Sequence, residues 1–146
     1  MQIRLVFNRM KDLAEFIGTE KICETVVTAD RTASAMRSGG VETLATPWMI
    51  AFMEYTAAEC VKPFLDEGYV TVGTHVDVAH LASTPVGMKV TCRAVLAAVE
   101  GRKLTFSVEA RDQADKIGEG VHERFVVNYD RFCSKAMEKA VAAGIN

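Results

Sequence analysis

The sequence predicts an α+β fold in which an antiparallel β-sheet wraps around one long α-helix, with a second helix at the C-terminus. Three observations carry the prediction. One long, largely apolar helical stretch starts at Thr46-Pro47. Four strand-like segments follow it, separated by turn residues. The last of them runs directly into a short helical pattern. A helix with so apolar a stripe must be covered, and the sheet is the only surface available to cover it.

The elements follow in order. Ile22 to Thr28 is rich in β-branched residues and reads as the first strand. Ala33 to Gly40 is small and polar, with a Gly39-Gly40 pair, and reads as a loop. At Thr46-Pro47 a good N-cap residue precedes the residue favoured at the first helical position. The helix is expected to run to about Asp66 and stop at Gly68, with a kink or an early end near Val61 caused by Pro63. Tyr69 to Leu81 alternates, so Val70, Val72, Thr74, Val76, Val78 and His80 are expected on one face. Thr84 to Gly87 is a turn, Met88 to Val99 a strand, and Glu100-Gly101-Arg102 a tight reversal. In Lys103 to Arg111 the inward set is Leu104, Phe106, Val108 and Ala110. Ile117 to Tyr129 is the last strand, and Arg131 to Ala143 reads as a helix closed by Gly144. This order is that of a hot-dog fold, although an α+β sandwich of another topology would give the same string.

The 146 residues suit a single domain able to bury a real core. Hydrophobic residues at 49% and charged residues at 25% exclude a disordered chain. A net charge of -2 gives no drive towards nucleic acid or an anionic membrane. No run approaches the roughly 18 apolar residues of a membrane span, and Met1 to Met10 is too short and too charged for a signal peptide. Residues 1–10 are read as a disordered or extended segment. Cys23, Cys60, Cys92 and Cys133 form no CxxC pair and read as buried free thiols, which suits a cytoplasmic protein.

Candidate chemistry starts with Glu54. Ile50, Met53, Ala57 and Val61 form an apolar stripe by helical spacing, and Glu54 falls at its edge or within it. A carboxylate there needs a partner or a task; as a rim residue it would reach water or an arginine. His80 ends the inward face of its strand, where it is either a satisfied core histidine or a functional one. His75 lies on the opposite face with Asp77, solvated or at an interface. His122, alternating with Arg124, reads as structural. The Thr46 hydroxyl can simply cap the helix. It lies eight residues before Glu54, about 12 Å of helical rise, so the two do not touch but could flank one substrate. A helix N-terminus also offers free N–H groups to a developing oxyanion. No phosphate-loop, GxSxG, HExxH or GxGxxG motif occurs.

Several blocks taken together resemble the fluoroacetyl-CoA thioesterase group of hot-dog proteins. They are Ala45-Thr46-Pro47 through Met53-Glu54, Gly73-Thr74 through His80, and Ala82 through Gly87. Val99-Glu100-Gly101-Arg102 and Gly118 through Arg124 continue the match, which spans roughly Val26 to Phe132. The resemblance implies a thioesterase with catalytic residues at Thr46, Glu54 and His80. It implies a glycine that helps place the water or thioester at Gly73, and an arginine near the acyl-CoA at Arg124. It needs no metal and no cofactor, coenzyme A being part of the substrate. One departure is visible. The fluoroacetyl-specific enzyme of the group has bulky aromatic lid residues between first strand and helix, whereas Ala33 to Val41 here contains no phenylalanine. A more open acyl pocket, a mobile loop and modest selectivity for short or medium acyl groups are therefore expected.

Thioester hydrolysis could proceed with Glu54 activating water or attacking directly, and with His80 protonating the thiolate or polarising the carbonyl. Thr46 would hydrogen-bond Glu54 or the oxyanion. The alternatives are a hot-dog enoyl-CoA hydratase and a non-catalytic module that binds an acyl-CoA or a small carboxylate. A homodimer is expected, because a hot-dog monomer leaves an edge strand unprotected.

Overall fold

In a computed structural model, which describes residues 12–146, five antiparallel strands form one sheet around one helix. The N-terminal segment 1–10 lies outside the described residues. The strands are β1 (Glu20–Val26), β2 (Tyr69–His80), β3 (Lys89–Glu100), β4 (Lys103–Arg111) and β5 (Lys116–Asn128). Their spatial order is β1-β3-β4-β5-β2. The long helix α1 is Thr46–Val61, and the C-terminal helix α2 is Tyr129–Ala142. Among the described residues, no helix is long and apolar enough to cross a membrane.

The core is the concave face of the sheet closed by α1. Val90, Cys92, Ala94 and Leu96 of β3 and Leu104, Phe106, Val108 and Ala110 of β4 alternate inward and are buried, as period-two side-chain placement requires. From α1 they meet Met49, Phe52, Met53, Thr56, Ala57, Cys60 and Val61. The buried stripe is thus rotated from the expected one. Ile50 and Glu54 are half-buried on its flank, while Phe52 and Thr56 take the buried positions.

Other expectations are narrowed or corrected. Thr46 is not the cap of α1: Ala45 is, without a side-chain hydrogen bond, and Thr46 and Pro47 are the first two helical residues. Of the two ends expected for the helix, about Asp66 or an early stop near Val61, the early one is found, and Lys62–Phe64 tightens into a 3-10 turn, because Pro63 brings no N–H to continue the ladder. The face of β2 is not continuous. The register shifts between Gly73 and His75, so Thr74 is the extra residue of a bulge. Before it, Tyr69 packs on the core and Thr71 bonds inward, while Val70 is exposed; after it, Val78 and His80 turn inward. α2 starts two residues before the expected Arg131 because Asn128 caps it, accepting from the Arg131 N–H.

The chain between β1 and α1 is tied down at both ends. Arg31 donates to Thr25 Oγ1 and to the Val26 carbonyl, stacks over Trp48 at 4.2 Å, and accepts the Ala45 N–H through its own carbonyl. The loop expected to be mobile is pinned at its base. Ala33 N–H bonds the Thr43 carbonyl and Ser34 N–H the Val41 carbonyl, leaving Arg37, in the left-handed region at φ 57°, at its tip.

Candidate active site

The sequence-selected residues fall into two groups. The first is Thr46 with His80. The first turn of α1 and the last residue of β2 meet because Leu44 N–H bonds the Thr84 carbonyl and Leu81 N–H bonds the Ile117 carbonyl, fixing the chain on both sides. Thr46 Oγ1 then lies 2.7 Å from His80 Nδ1. The hydroxyl that could have capped the helix is spent on the imidazole instead. His80 Nε2 is buried and makes no hydrogen bond among the described residues. Either tautomer leaves Nε2 as the ring atom able to serve a substrate. It donates if Thr46 donates to Nδ1, and it accepts if Thr46 receives the Nδ1 proton. Burial pushes the His80 pKa below its ordinary value and outweighs the nearby Ala82 backbone, which raises it. Burial thus favours the neutral imidazole.

These two side chains line a cavity of about 400 Å³, together with Ala33, Val41, Leu81 and Ser83. The small residues of the Ala33–Gly40 loop thus form one of its walls.

The second group is Glu54, Gly73, Arg124 and His122. Gly73 is where β2 passes beneath Glu54. A Cβ there would stand 2.7 Å from Glu54 Oε1 and 3.3 Å from both Arg124 Nη1 and His122 Cε1. Only a residue without a side chain lets the three groups converge. Arg124 is buried on β5 and donates Nε–H to Thr71 Oγ1 and Nη2–H to the Thr71 carbonyl, both at 2.9 Å. Burial lowers the Arg124 pKa and the nearby Glu54 raises it, and a guanidinium stays charged at any working pH. Burial likewise lowers the His122 pKa, opposed by the bond to the His75 carbonyl; Arg124 lowers it further, and Glu54 and Glu123 raise it.

The structure brings Thr46 to His80 and Glu54 to Gly73 and Arg124. It does not join the two pairs into one hydrogen-bonded set within one chain, as eight residues of helical rise between Thr46 and Glu54, about 12 Å, would lead one to expect. Two participants escaped the sequence reading, His122 and Thr71. For His122 a signal was present: it and Arg124 are two apart on one strand, hence on one face, and an inward arginine needs an acceptor. For Thr71 there was none, since the bulge that turns it inward leaves no mark except Gly73. Among the described residues, no cluster of three or more His, Cys, Asp or Glu side chains could hold a metal ion.

Comparison with known proteins agrees with this architecture. The family model described as fluoroacetyl-CoA-specific thioesterase matches residues 27–130. The fluoroacetyl-CoA thioesterase of Streptantibioticus cattleyicolor is 41% identical over 101 residues, which are 69% of this chain and 73% of the relative. A solved structure of the fluoroacetyl-CoA thioesterase FlK superposes with a TM-score of 0.81 at 34% identity, covering 84% of this chain and 96% of that one. A variant of the same enzyme has been solved with fluoroacetate and CoA. A hypothetical Thermus thermophilus protein of the thioesterase superfamily follows at a TM-score of 0.79 and 32% identity, covering 87% and 96%. With a hot-dog fold and a family match over most of its length, this chain belongs to the fluoroacetyl-CoA-specific thioesterase family.

Proposed function

We propose that this chain is an acyl-CoA thioesterase that hydrolyses a short or medium acyl-CoA to the acid and free CoA. One observation supports it above the others. The Thr46 hydroxyl is withdrawn from helix capping to hold His80, whose second nitrogen stays buried and free beside a cavity large enough for an acyl group. A core histidine kept only for packing would have both nitrogens satisfied. In the reaction Glu54 takes a proton from water or attacks the carbonyl carbon itself, and His80 either polarises the carbonyl or, as a neutral imidazole, relays to the departing CoA thiolate the proton that Glu54 took from the water. Thr46 orients His80, and its own N–H is the one left at the start of α1 for the developing oxyanion, since Pro47 has none and those of Trp48 and Met49 bond the Ala45 carbonyl. Arg124 binds the acyl-CoA and Gly73 lets it approach.

The same reading makes the enzyme a homodimer. β2 is an edge strand with Val70 and Val76 exposed, and edges of this kind are normally covered. Antiparallel pairing of two β2 strands about a two-fold axis between Val76 and Asp77 sets His80 of one chain opposite Gly73 of its partner. Glu54 of the partner then completes the Thr46–His80 pair, giving two shared sites. Four free thiols, two of them fully buried, suit the reducing cytoplasm in which we place it.

The test is a panel of acyl-CoA thioesters with DTNB detection of released thiol, run on the wild type and on Glu54→Ala, with sedimentation at micromolar concentration. Thiol release abolished in Glu54→Ala, from a dimer, is the expected result. CoA binding without release across the panel would establish a binding module instead, and a monomer would overturn the shared site.

A further inference from the structure

From its sequence context His122 reads as structural, yet it is 1% exposed and both of its ring nitrogens are engaged. Nδ1 lies 2.8 Å from the His75 carbonyl oxygen, which can only accept, so Nδ1 carries the proton. Nε2 lies 3.2 Å from Arg124 Nη1, which can only donate, so Nε2 offers its lone pair. The two contacts together allow one state, the neutral Nδ1–H tautomer. An imidazolium would set two cations against each other in a buried place.

With His122 and Thr71 as acceptors, three of the five guanidinium N–H groups of Arg124 are committed. Nη1 keeps one N–H, and it is Nη1 that stands 3.3 Å from the empty point above Gly73, with Glu54 Oε1 2.7 Å from that same point. We propose that His122 is a positioning residue: as a neutral acceptor it turns the Arg124 guanidinium across Gly73 towards Glu54, so that one free N–H is presented to the group on which Glu54 acts. The inference rests on the thioesterase reading of Glu54. Every neighbouring element contributes to the setting. β2 supplies the His75 carbonyl, β4 the Phe106 ring at 6.5 Å, α1 the Glu54 carboxylate, and β5 itself Arg124 and Glu123, the last drawn off by Lys103 at 3.3 Å.

Three substitutions separate positioning from packing. In His122→Gln the amide oxygen reaches the place of Nε2 and can still accept from Arg124. In His122→Asn the shorter amide reaches only the place of Nδ1. His122→Phe keeps the ring and loses both bonds. His122→Gln is expected to keep kcat/KM within about fivefold of wild type, while Asn and Phe lose about tenfold to a hundredfold, the range for a hydrogen bond to a charged group. The Gln and Asn variants should melt at similar temperatures. Equal activity losses in Gln and Asn, or none in either, would overturn the proposal. A second measurement needs neither turnover nor a variant that folds: 1H–15N correlation of the wild-type imidazoles should show His122 as the Nδ1–H tautomer at pH 7. An Nε2–H tautomer or an imidazolium there would refute it. A wild type that cleaves no acyl-CoA would instead remove the thioesterase reading, leaving the tautomer to decide whether His122 holds Arg124.

Discussion

Replacing Gly73 by alanine separates the chemistry of the Glu54 cluster from the stability of the fold. Gly73 is exposed on an edge strand, and its φ is not in the left-handed region, so its backbone accepts alanine. Loss of glycine freedom in the unfolded chain should stabilise by about 0.4–1 kcal/mol. Against this, the new Cβ would stand 2.7 Å from Glu54 Oε1, and ordinary contact begins at 3.4 Å, so the carboxylate must retreat by about 0.7 Å. The obstacle is the end of a flexible side chain, so the shift is cheap for folding. It is not cheap for a reaction in which a misplacement near 1 Å can cost about a hundredfold. Gly73→Ala should therefore melt within about 3 °C of wild type while kcat/KM falls by roughly tenfold to a hundredfold. Thermal unfolding and the DTNB assay measure the two quantities on one preparation. Gly120→Ala is the contrast. Its Cβ would collide with the Asp77 carbonyl oxygen and stand 2.6 Å from Val78 Cα, both backbone atoms of β2. Nothing there can yield without opening the β2–β5 pair, so Tm should drop by about 5 °C or more. A Gly73→Ala enzyme with wild-type kcat/KM and wild-type Tm would refute the placement of Glu54 at the reacting centre.

Three further outcomes are expected. Burial holds His80 and His122 below the ordinary histidine value. Their stabilising contribution is thus complete above about pH 6.5 and is lost as pH falls through the lower folded values, so Tm should be level from pH 8 to 7 and decline below about 6.5. Asp112→Ala strips the acceptor from Thr84, which is fully buried and bonded to Asp112 Oδ2 at 2.9 Å. It should cost about 1–3 kcal/mol, part of which returns in the double variant with Thr84→Val, as a denaturation cycle would reveal. Because the Ala33–Gly40 wall carries no aromatic gate, kcat/KM for fluoroacetyl-CoA over acetyl-CoA should stay below about a thousandfold, and a larger ratio would mean that Met36 or Trp48 rebuilds one.

Element type and order could be read from local pattern alone. Leu104, Phe106, Val108 and Ala110 alternate on a strand with no bulge among them, and period two put all four in the core, where they are. The end of α1 at Val61 follows from the missing N–H of Pro63, a property of one residue. The candidate residues Thr46, Glu54 and His80 and the family blocks around them were equally visible. What local pattern could not decide is anything that depends on which strand lies beside which. The Thr74 bulge reverses the facing of half of β2, and no periodicity within β2 records it, because a bulge is a mismatch between two strands. Whether the Thr46 hydroxyl caps its helix or binds His80, 34 residues away, was settled by the competition between a local and a distant acceptor. The burial of His122 and Arg124 beneath Glu54 came likewise from the β2–β5 register. Backbone geometry and apolar spacing act over a few residues, so sequence displays them; the pairing of polar groups is decided by where the closed sheet leaves each donor without water.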